Sequence, residues 1–237
     1  MPSPNDNFQL RDGLDALFKV RSKDISAPQD GSLQKIRHLA EAYPVDYGIG
    51  GCYSISVSSG SMAAGLSAAS TIWGFRWSST TLLALIRELR LSMWSIGTGF
   101  TAGLATFELS RVSAWSASDT GGSSVSLSSP NTKMRTSMSA SAGEMRISST
   151  GAVTAGTRTI NTNAAGNLIL PIANTTNTVF ASRVKLLDFN PAKHPQILAA
   201  ASGATSEGII IRATVPATGV WGFNLEMDWD EVPLVNY

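Results

Sequence analysis

The chain offers few side chains that could act as general bases, nucleophiles or metal ligands. Histidine, the usual general base and ligand, occurs only as His38 and His194, which lie far apart in the sequence. Cys52 is the single cysteine and has no histidine near it, so we interpret it as a small buried apolar side chain. One cysteine also excludes an internal disulfide framework. We therefore expect no catalytic residue, no metal ion and no cofactor.

Three short patterns have motif-like spacing, and a structural interpretation is favoured for each. Residues 97–102, Gly-Thr-Gly-Phe-Thr-Ala, are spaced like a dinucleotide fingerprint, but a strand-like segment follows where a helix is needed. Ser32 and Lys35 match Ser-x-x-Lys without a partner motif, which favours helix capping. Four acidic residues lie near the end of the chain. Two of them, Glu226 and Asp228, share one face of a strand and could contact calcium, but we favour a solvated acidic end that discourages edge pairing. Its members are Glu226, Asp228, Asp230 and Glu231.

The six tryptophans fall into two groups. Four lie on the inward faces of alternating segments and are predicted to be core, with a sugar-binding aromatic platform as the functional alternative; they are Trp73, Trp77, Trp221 and Trp229. We expect Trp94 and Trp115 to be exposed. They are candidate interface residues, because aromatic side chains are enriched in interfaces.

The clearest structural signal is the alternation in residues 207–229. The odd positions from Trp221 to Trp229 are apolar and the even positions from 222 to 228 are small or polar, which is typical of a half-buried strand. Residues 209–215 alternate as well, with Ile210 as the exception. A three-residue loop at 217–219 would pair Ala213 with Phe223 in an antiparallel hairpin whose apolar positions share one face. We predict that hairpin, with its two apolar sets buried together.

Other segments with a period of two raise the expected count to about ten strands. They are residues 53–57, 73–77, 82–96, 104–112, 168–172, 184–189 and 196–201. The inward positions are Trp73, Phe75 and Trp77 in the second of these and Phe107 and Leu109 in the fourth. The segment 82–96 also fits a helix, but a strand with an irregularity near Arg87 is favoured. The Ser/Thr-rich segment 110–150 is interpreted as short polar strands and long loops, with low-complexity disorder as the alternative. The predicted body, residues 47–237, is an all-β, antiparallel β-sandwich or jelly-roll-like domain.

Residues 1–46 differ from the body and are predicted to form an extended, partly helical N-terminal arm. They hold 13 of the 35 Asp, Glu, Lys and Arg residues. They also contain two short helical patterns, the first formed by Leu14, Leu17, Phe18 and Arg21 and the second by Leu33, Ile36, Ala40 and Tyr43. Neither helix would be stable alone, so the arm either straps over its own core or becomes ordered on a neighbouring subunit. The candidate interface residues of the arm are Leu14, Leu17, Phe18, Leu33, Ile36 and Tyr43.

The bulk properties limit the expected partners. The net charge of +1 gives no strong field that would attract nucleic acid or an anionic membrane. No apolar run reaches the roughly 18 residues of a membrane span, and the N-terminus lacks the pattern of a secretory signal. We therefore expect synthesis in a cytoplasm, with neither nucleic acid nor membrane as a partner.

The chain also resembles the structural proteins of tailed-bacteriophage virions. The resemblance lies in Phe75-Arg-Trp77, in Thr-Ala-Gly-Thr-Arg at 154–158 and in the segment 212–221, Arg-Ala-Thr-Val-Pro-Ala-Thr-Gly-Val-Trp. It covers roughly residues 47–230 and rests on these phrases and on a Ser/Thr/Gly/Ala-rich, cysteine-poor β-composition. It implies a non-enzymatic structural role.

We expect a capsid decoration, or cement, protein on the capsid surface of the virion, synthesised in the host cytoplasm. Its expected partners are the major capsid protein and further copies of itself, as a homodimer or homotrimer. The alternative is a tail, fibre or receptor-binding module that contacts host glycans. A glycan hydrolase is disfavoured because acidic residues are few and scattered.

Overall fold

The chain divides into two compact units, Met1–Val45 and Asp46–Tyr237. The computed structural model describes residues 8–11, 17–20, 51–63, 65–66, 69–129, 132–188, 196–202 and 205–234. In the first unit, β1 (Phe8–Arg11) pairs with β2 (Leu17–Val20) in antiparallel fashion. The helix predicted around Leu17 and Phe18 is therefore wrong, because phenylalanine and valine favour strands and so short a helix is marginal alone. The second predicted helix lies outside the described residues.

The second unit, which we call the body, is built from strands. They are β3 (Gly51–Ser58), β4 (Met62–Ala63), β5 (Ser70–Trp77), β6 (Leu82–Ser95), β7 (Gly103–Trp115), β8 (Ser123–Val125), β9 (Gly143–Ile147), β10 (Arg158–Ile160), β11 (Gly166–Ile172), β12 (Val179–Asp188), β13 (Gln196–Leu198), β14 (Ser206–Thr214) and β15 (Val220–Pro233). The described residues contain no α-helix. The all-β class is therefore confirmed.

The body strands form two antiparallel sheets that pack together as a sandwich. Sheet I has the order β10-β7-β14-β5-β9-β8, with β11 also on β7. Sheet II has the order β12-β6-β15-β3, with β13 on β6 and β4 on β15. Consecutive long strands change sheets, since β5 and β7 belong to sheet I whereas β6 belongs to sheet II. The apolar face of each strand thus meets residues from the opposite sheet.

The core between the sheets is rich in aromatic side chains. Trp229 stacks on Tyr53 with ring centroids 5.2 Å apart, and Phe75 lies 5.5 Å from Trp229. Such ring contacts add to the burial of large apolar areas. The predicted inward residues of β5 and β7 are all fully buried: Trp73, Phe75, Trp77, Phe107 and Leu109.

The predicted faces of β14 and β15 are confirmed. Ile209, Ile211, Ala213 and Val215 are buried in the core, as are Trp221, Phe223, Leu225, Met227 and Trp229. Ile210, the exception in the pattern, points to the other side of sheet I and forms a small second cluster with Val112 and Trp115. Ile210, which breaks the alternation, is therefore buried in a separate apolar cluster.

The predicted hairpin is wrong, although the faces are right. β14 pairs with β5 and β7 in sheet I, so Ala213 lies opposite Phe107, whereas β15 pairs with β3 and β6 in sheet II, so Phe223 lies opposite Met93. Residues 215–219 cross from one sheet to the other, and Gly219 has a positive φ of 115°. A hairpin and a connection between the two sheets of a sandwich both bring two apolar strand faces together. The alternation of apolar residues therefore predicts both equally well.

The segment 82–96 is a strand with the predicted irregularity. In the ladder between β6 and β15, Asp228 lies opposite Glu88 and Trp229 lies opposite Ile86, which leaves Arg87 unpaired in a bulge. The Ser/Thr-rich segment forms the short strands β8 and β9 and long loops, as predicted. The turn interpretation of residues 97–102 is also confirmed, since they connect β6 to β7.

The core position of Leu225 makes it a test of the sandwich. Leu225→Ala should lower the free energy of unfolding by about 2–5 kcal/mol, because it removes a fully buried side chain and leaves a cavity. The matched change Leu104→Ala, at a residue that is 60% exposed, should cost no more than about 0.5 kcal/mol. Urea denaturation measures both, and equal effects would contradict the packing.

Candidate functional site

The outer face of sheet II is the candidate functional surface. Along β15 the even positions that point away from the core are half-buried or covered, and they run from Gly222 through Asn224 and Glu226 to Asp228. The ladder places them beside Trp94, Ser92, Arg90 and Glu88 of β6. Aromatic, amide, hydroxyl and charged groups thus follow one another along one side of the sheet.

Trp94 lies over Gly222 at one end of this face. A Cβ atom on residue 222 would stand 2.9 Å from three atoms of the indole, so glycine is what lets the ring rest against the strand. The indole is half-buried, whereas the other five tryptophans are buried. Val179, which pairs with Trp94 from β12, is 65% exposed. These two side chains form an apolar platform at the surface, which we call the Trp94 platform.

Polar groups adjoin the Trp94 platform. Asn224 accepts hydrogen bonds from the hydroxyls of Ser58 and Ser56 at 2.9 and 3.3 Å, and its amide donates to Ser56 at 3.2 Å. Ser92 accepts a hydrogen bond from the backbone N–H of Arg183 at 2.9 Å. An apolar ring surface beside amide and hydroxyl groups is suited to a ligand with one apolar face and a polar rim, such as a pyranose.

An ion-pair network occupies the middle of the face. Arg90 contacts both Glu88 and Glu226, Arg183 contacts Glu226 at 2.8 Å, and Lys185 contacts Glu88 at 2.9 Å. Arg183 has a φ of 50°, in the left-handed region that a non-glycine residue rarely adopts. The network neutralises the charges locally and holds β12 on β6.

The acidic end of β15 differs from the prediction of a solvated face that discourages edge pairing. β15 is an interior strand, and Asp230 and Glu231 are buried. Arg87, at the bulge, contacts Asp230 at 3.1 Å. Cys52 pairs with Asp230 across the ladder, and burial, followed by the hydrogen bond with Asp230, raises the pKa of its thiol to about 12. Cys52 is thus a buried thiol, as predicted, with little nucleophilic character.

Glu231 lies on the inner side of β15 at the end of the core. Burial raises the pKa of its carboxyl group to about 7, although hydrogen bonds from Ser141, Trp229 and the backbone of Ala142 favour the charged form. The charged form of Glu231 in turn raises the pKa of neighbouring Tyr53, whose own burial is the larger cause. A carboxyl group that titrates near neutral pH is therefore built into the core.

The candidate interface residues are distributed unevenly. Trp94 is partly accessible, but Trp115 is 2% exposed, so its predicted exposure is wrong. Trp115 packs in the second cluster, with the Arg158 guanidinium 5.0 Å from the ring centroid. Leu17 and Phe18 lie in β2. The following residues discussed above lie outside the described ranges: Leu14, Ser32, Leu33, Lys35, Ile36, His38, Tyr43 and His194.

Sequence reasoning missed a buried ion pair on the outer side of sheet I. The side chains of Arg158 and Asp119 are almost fully buried and in contact, Gly156 donates its backbone N–H to Asp119 at 2.7 Å, and Arg158 donates to Thr71 at 2.6 Å. The pair fastens two loops over Trp115. The two residues are 39 positions apart in the sequence, and no local pattern connects them.

Comparison with protein-family models, curated proteins and solved structures found no match for the chain. Among the described residues, no cluster of three or more histidine, cysteine, aspartate or glutamate side chains could hold a metal ion. The same part of the chain contains no helix with the length and apolar character of a membrane span.

Glu231 should make the stability of the protein depend on pH. Because its folded pKa is raised from 4.5 to about 7, the contribution of its carboxyl group is fully present below about pH 4.5 and is lost as the pH rises through 7. Glu231→Gln should abolish this pH-dependent loss, which amounts to up to about 3 kcal/mol of the free energy of unfolding at pH 8. Thermal unfolding between pH 5 and 8 measures it, with Asp188→Asn, at the half-buried last residue of β12, as the control. An unchanged pH profile in Glu231→Gln would contradict the assignment.

Proposed function

We propose that the protein is a non-enzymatic structural protein of a tailed-bacteriophage virion, and specifically a capsid decoration protein that binds the outer head lattice. The observation that carries this proposal is the division of the chain into a compact β-body, Asp46–Tyr237, and a separate N-terminal unit, Met1–Val45. A body joined to an arm can contact one lattice subunit with each part. Such bridging buries area across a subunit boundary and so stabilises the lattice.

The surface chemistry of the body supports this role. Its positive side chains on sheet II are matched by carboxylates, as with Arg90, Arg183 and Lys185, and the whole chain carries a net charge of only +1. A locally neutral surface can approach a large protein lattice closely without long-range repulsion. The aromatic core gives the body rigidity without a disulfide, since Cys52 has no partner cysteine.

We also propose that the body is a jelly-roll variant. Passages between the sheets from β5 to β6, from β6 to β7 and from β14 to β15 support this, because repeated crossing between two sheets characterises that architecture. In the same proposal the N-terminal unit is the arm that contacts a neighbouring lattice subunit, and its candidate contacts in β2 are Leu17 and Phe18.

Binding to expanded, empty, tailless capsids tests the decoration role. The purified full-length protein should sediment with the capsids, and the double variant Leu17→Ser/Phe18→Ser should bind about tenfold more weakly, equivalent to about 1.4 kcal/mol of lost apolar contact. Leu104→Ala, at an exposed residue of the body, is the control for a general loss of apolar surface. Wild-type protein that stays in the supernatant would overturn the decoration role.

The Trp94 platform favours a second candidate, a tail or fibre module that contacts host glycans. An indole that lies over Gly222, with Asn224 and Ser92 beside it, offers the flat apolar surface and polar rim that a pyranose ring requires. This function would place the protein at the host surface during infection, whereas decoration would place it on the head.

Substitutions at the platform separate the two candidates. If glycans bind there, Trp94→Ala should reduce binding to host-cell polysaccharide at least tenfold. Gly222→Ala should also weaken it, because the new methyl group displaces an indole that is still present. Ile169→Ala, at a residue that is 54% exposed on sheet I, is the matched control. Polysaccharide binding that ignores both platform variants would exclude this surface as the glycan site.

A further inference from the structure

The two edges of sheet II are built in opposite ways. The β12 edge is irregular, because its ladder with β6 shifts register at three places and the strand carries Arg183, Lys185 and Asp188. Bulges and charges of this kind discourage a further strand from pairing. The β3 edge has none of these features. Its ladder with β15 is continuous, and residues 53–58, Tyr-Ser-Ile-Ser-Val-Ser, contain no charge and no proline.

The backbone of β3 presents hydrogen-bonding groups at this edge. Ser59 donates its N–H to the carbonyl of Phe223 at 2.9 Å, so the N–H of Ser59 points toward β15. Because partners alternate along an antiparallel strand, the groups of Ile55 and Val57 also face β15, whereas those of Ser54, Ser56 and Ser58 face away. Within the part of the chain that the structure describes, no backbone group pairs with these three serines on the outer side.

The unpaired stretch has defined limits. At its start, Met134 donates its N–H to the carbonyl of Cys52 at 3.1 Å, and Tyr53 forms a bridge with Lys133. Past its end, Gly60 lies so close to the backbone of Ser149 that no Cβ atom would fit. Between these covered ends, the hydroxyls of Ser56 and Ser58 are held by Asn224 on the outer face. With respect to the described residues, the uncovered part of the β3 edge is therefore residues 54–58.

We propose that β3 pairs with β3 of a second copy of this chain, antiparallel and about a two-fold axis at Ser56. In this register Ser56 faces its counterpart and Ser54 faces Ser58 of the second copy, so every outward backbone group finds a partner. A one-residue slip would turn the inner face outward. A slip of two would require Cys52, already bound to Met134, or Gly60, packed on Ser149. Only the register centred on Ser56 uses the uncovered residues alone.

The side chains fit the same arrangement. Ile55 and Val57 are half-buried at the rim of the core, and the two-fold axis sets each opposite the other in the partner copy. Sheet II then continues from one copy to the next, with the apolar rim covered and serine hydroxyls on the outer face. No like charges meet across the axis. Pairing through sheet II ends at the dimer, because both β3 edges are used and the remaining β12 edges are protected.

Self-association is part of the proposed decoration function, and this inference names its surface and stoichiometry. It is tested on purified full-length protein without capsids, so its failure and the failure of capsid binding are separate results. Light scattering after size exclusion should give twice the 25.0 kDa mass of the chain. Ser56→Pro removes an N–H that faces away from β15, and Ser56→Lys places like charges at the axis, so both should give monomers. Ser113→Lys, which adds the same charge at an exposed residue of β7, should remain dimeric.

Cross-linking provides a readout that does not depend on disrupting the edge. Directly opposed residues of a hydrogen-bonded antiparallel pair have Cα atoms about 5.5 Å apart, within the range of a disulfide. Ser56→Cys should therefore form an intermolecular disulfide under mild oxidation, whereas Ser113→Cys should not. A wild-type monomer would overturn the proposal, whether the edge is then covered by the chain's own N-terminal unit or by a foreign strand. A trimer, or a dimer that survives both Ser56→Pro and Ser56→Lys, would equally overturn it.

Discussion

The body depends on one constraint, namely that the alternating apolar faces of its long strands must be buried against each other. β14 and β15 satisfy it from opposite sheets, and Phe75, Tyr53 and Trp229 join the two layers through ring contacts. An alternating strand exposes its apolar side unless another sheet covers it. Once the two central strands face each other, the flanking strands complete the layers, and polar residues are left on the two outer faces.

The same constraint explains which parts of the fold could be predicted from sequence. The period of two identified the inward residues of β5, β7, β14 and β15, and the break in the pattern of residues 82–96 located the bulge at Arg87. It could not identify strand partners, since Ala213 and Phe223 share a core whether they lie in a hairpin or in opposite sheets. The partner depends on how residues 215–219 cross between layers, and that depends on contacts distant in sequence.

The candidate surface was harder to predict for a related reason. The residue type of Trp94 predicts an interface position, but the packing of its indole on Gly222 follows from the ladder, which places the two residues side by side. The same prediction is wrong for Trp115, which is buried because Ile210 and Arg158 contact it from other strands. The type of an aromatic residue therefore indicates that it packs against something, whereas exposure is decided by neighbours from elsewhere in the chain.

Unusual features occur on both sheets, and most of the buried polar side-chain atoms without a hydrogen-bond partner among the described residues lie on or beside sheet I. Sheet II is distinguished in other ways. It holds Arg183 with its positive φ, the buried acids Asp230 and Glu231, and an edge at β3 without charge or bulge. Sheet I has one buried ion pair, and Arg158 and Asp119 satisfy each other within it. A sequence optimised for stability alone would neutralise such features, and natural proteins retain them mainly where another molecule is recognised. The two surfaces proposed for recognition, the Trp94 platform and the β3 edge, both belong to sheet II, which makes that sheet the first target for substitution.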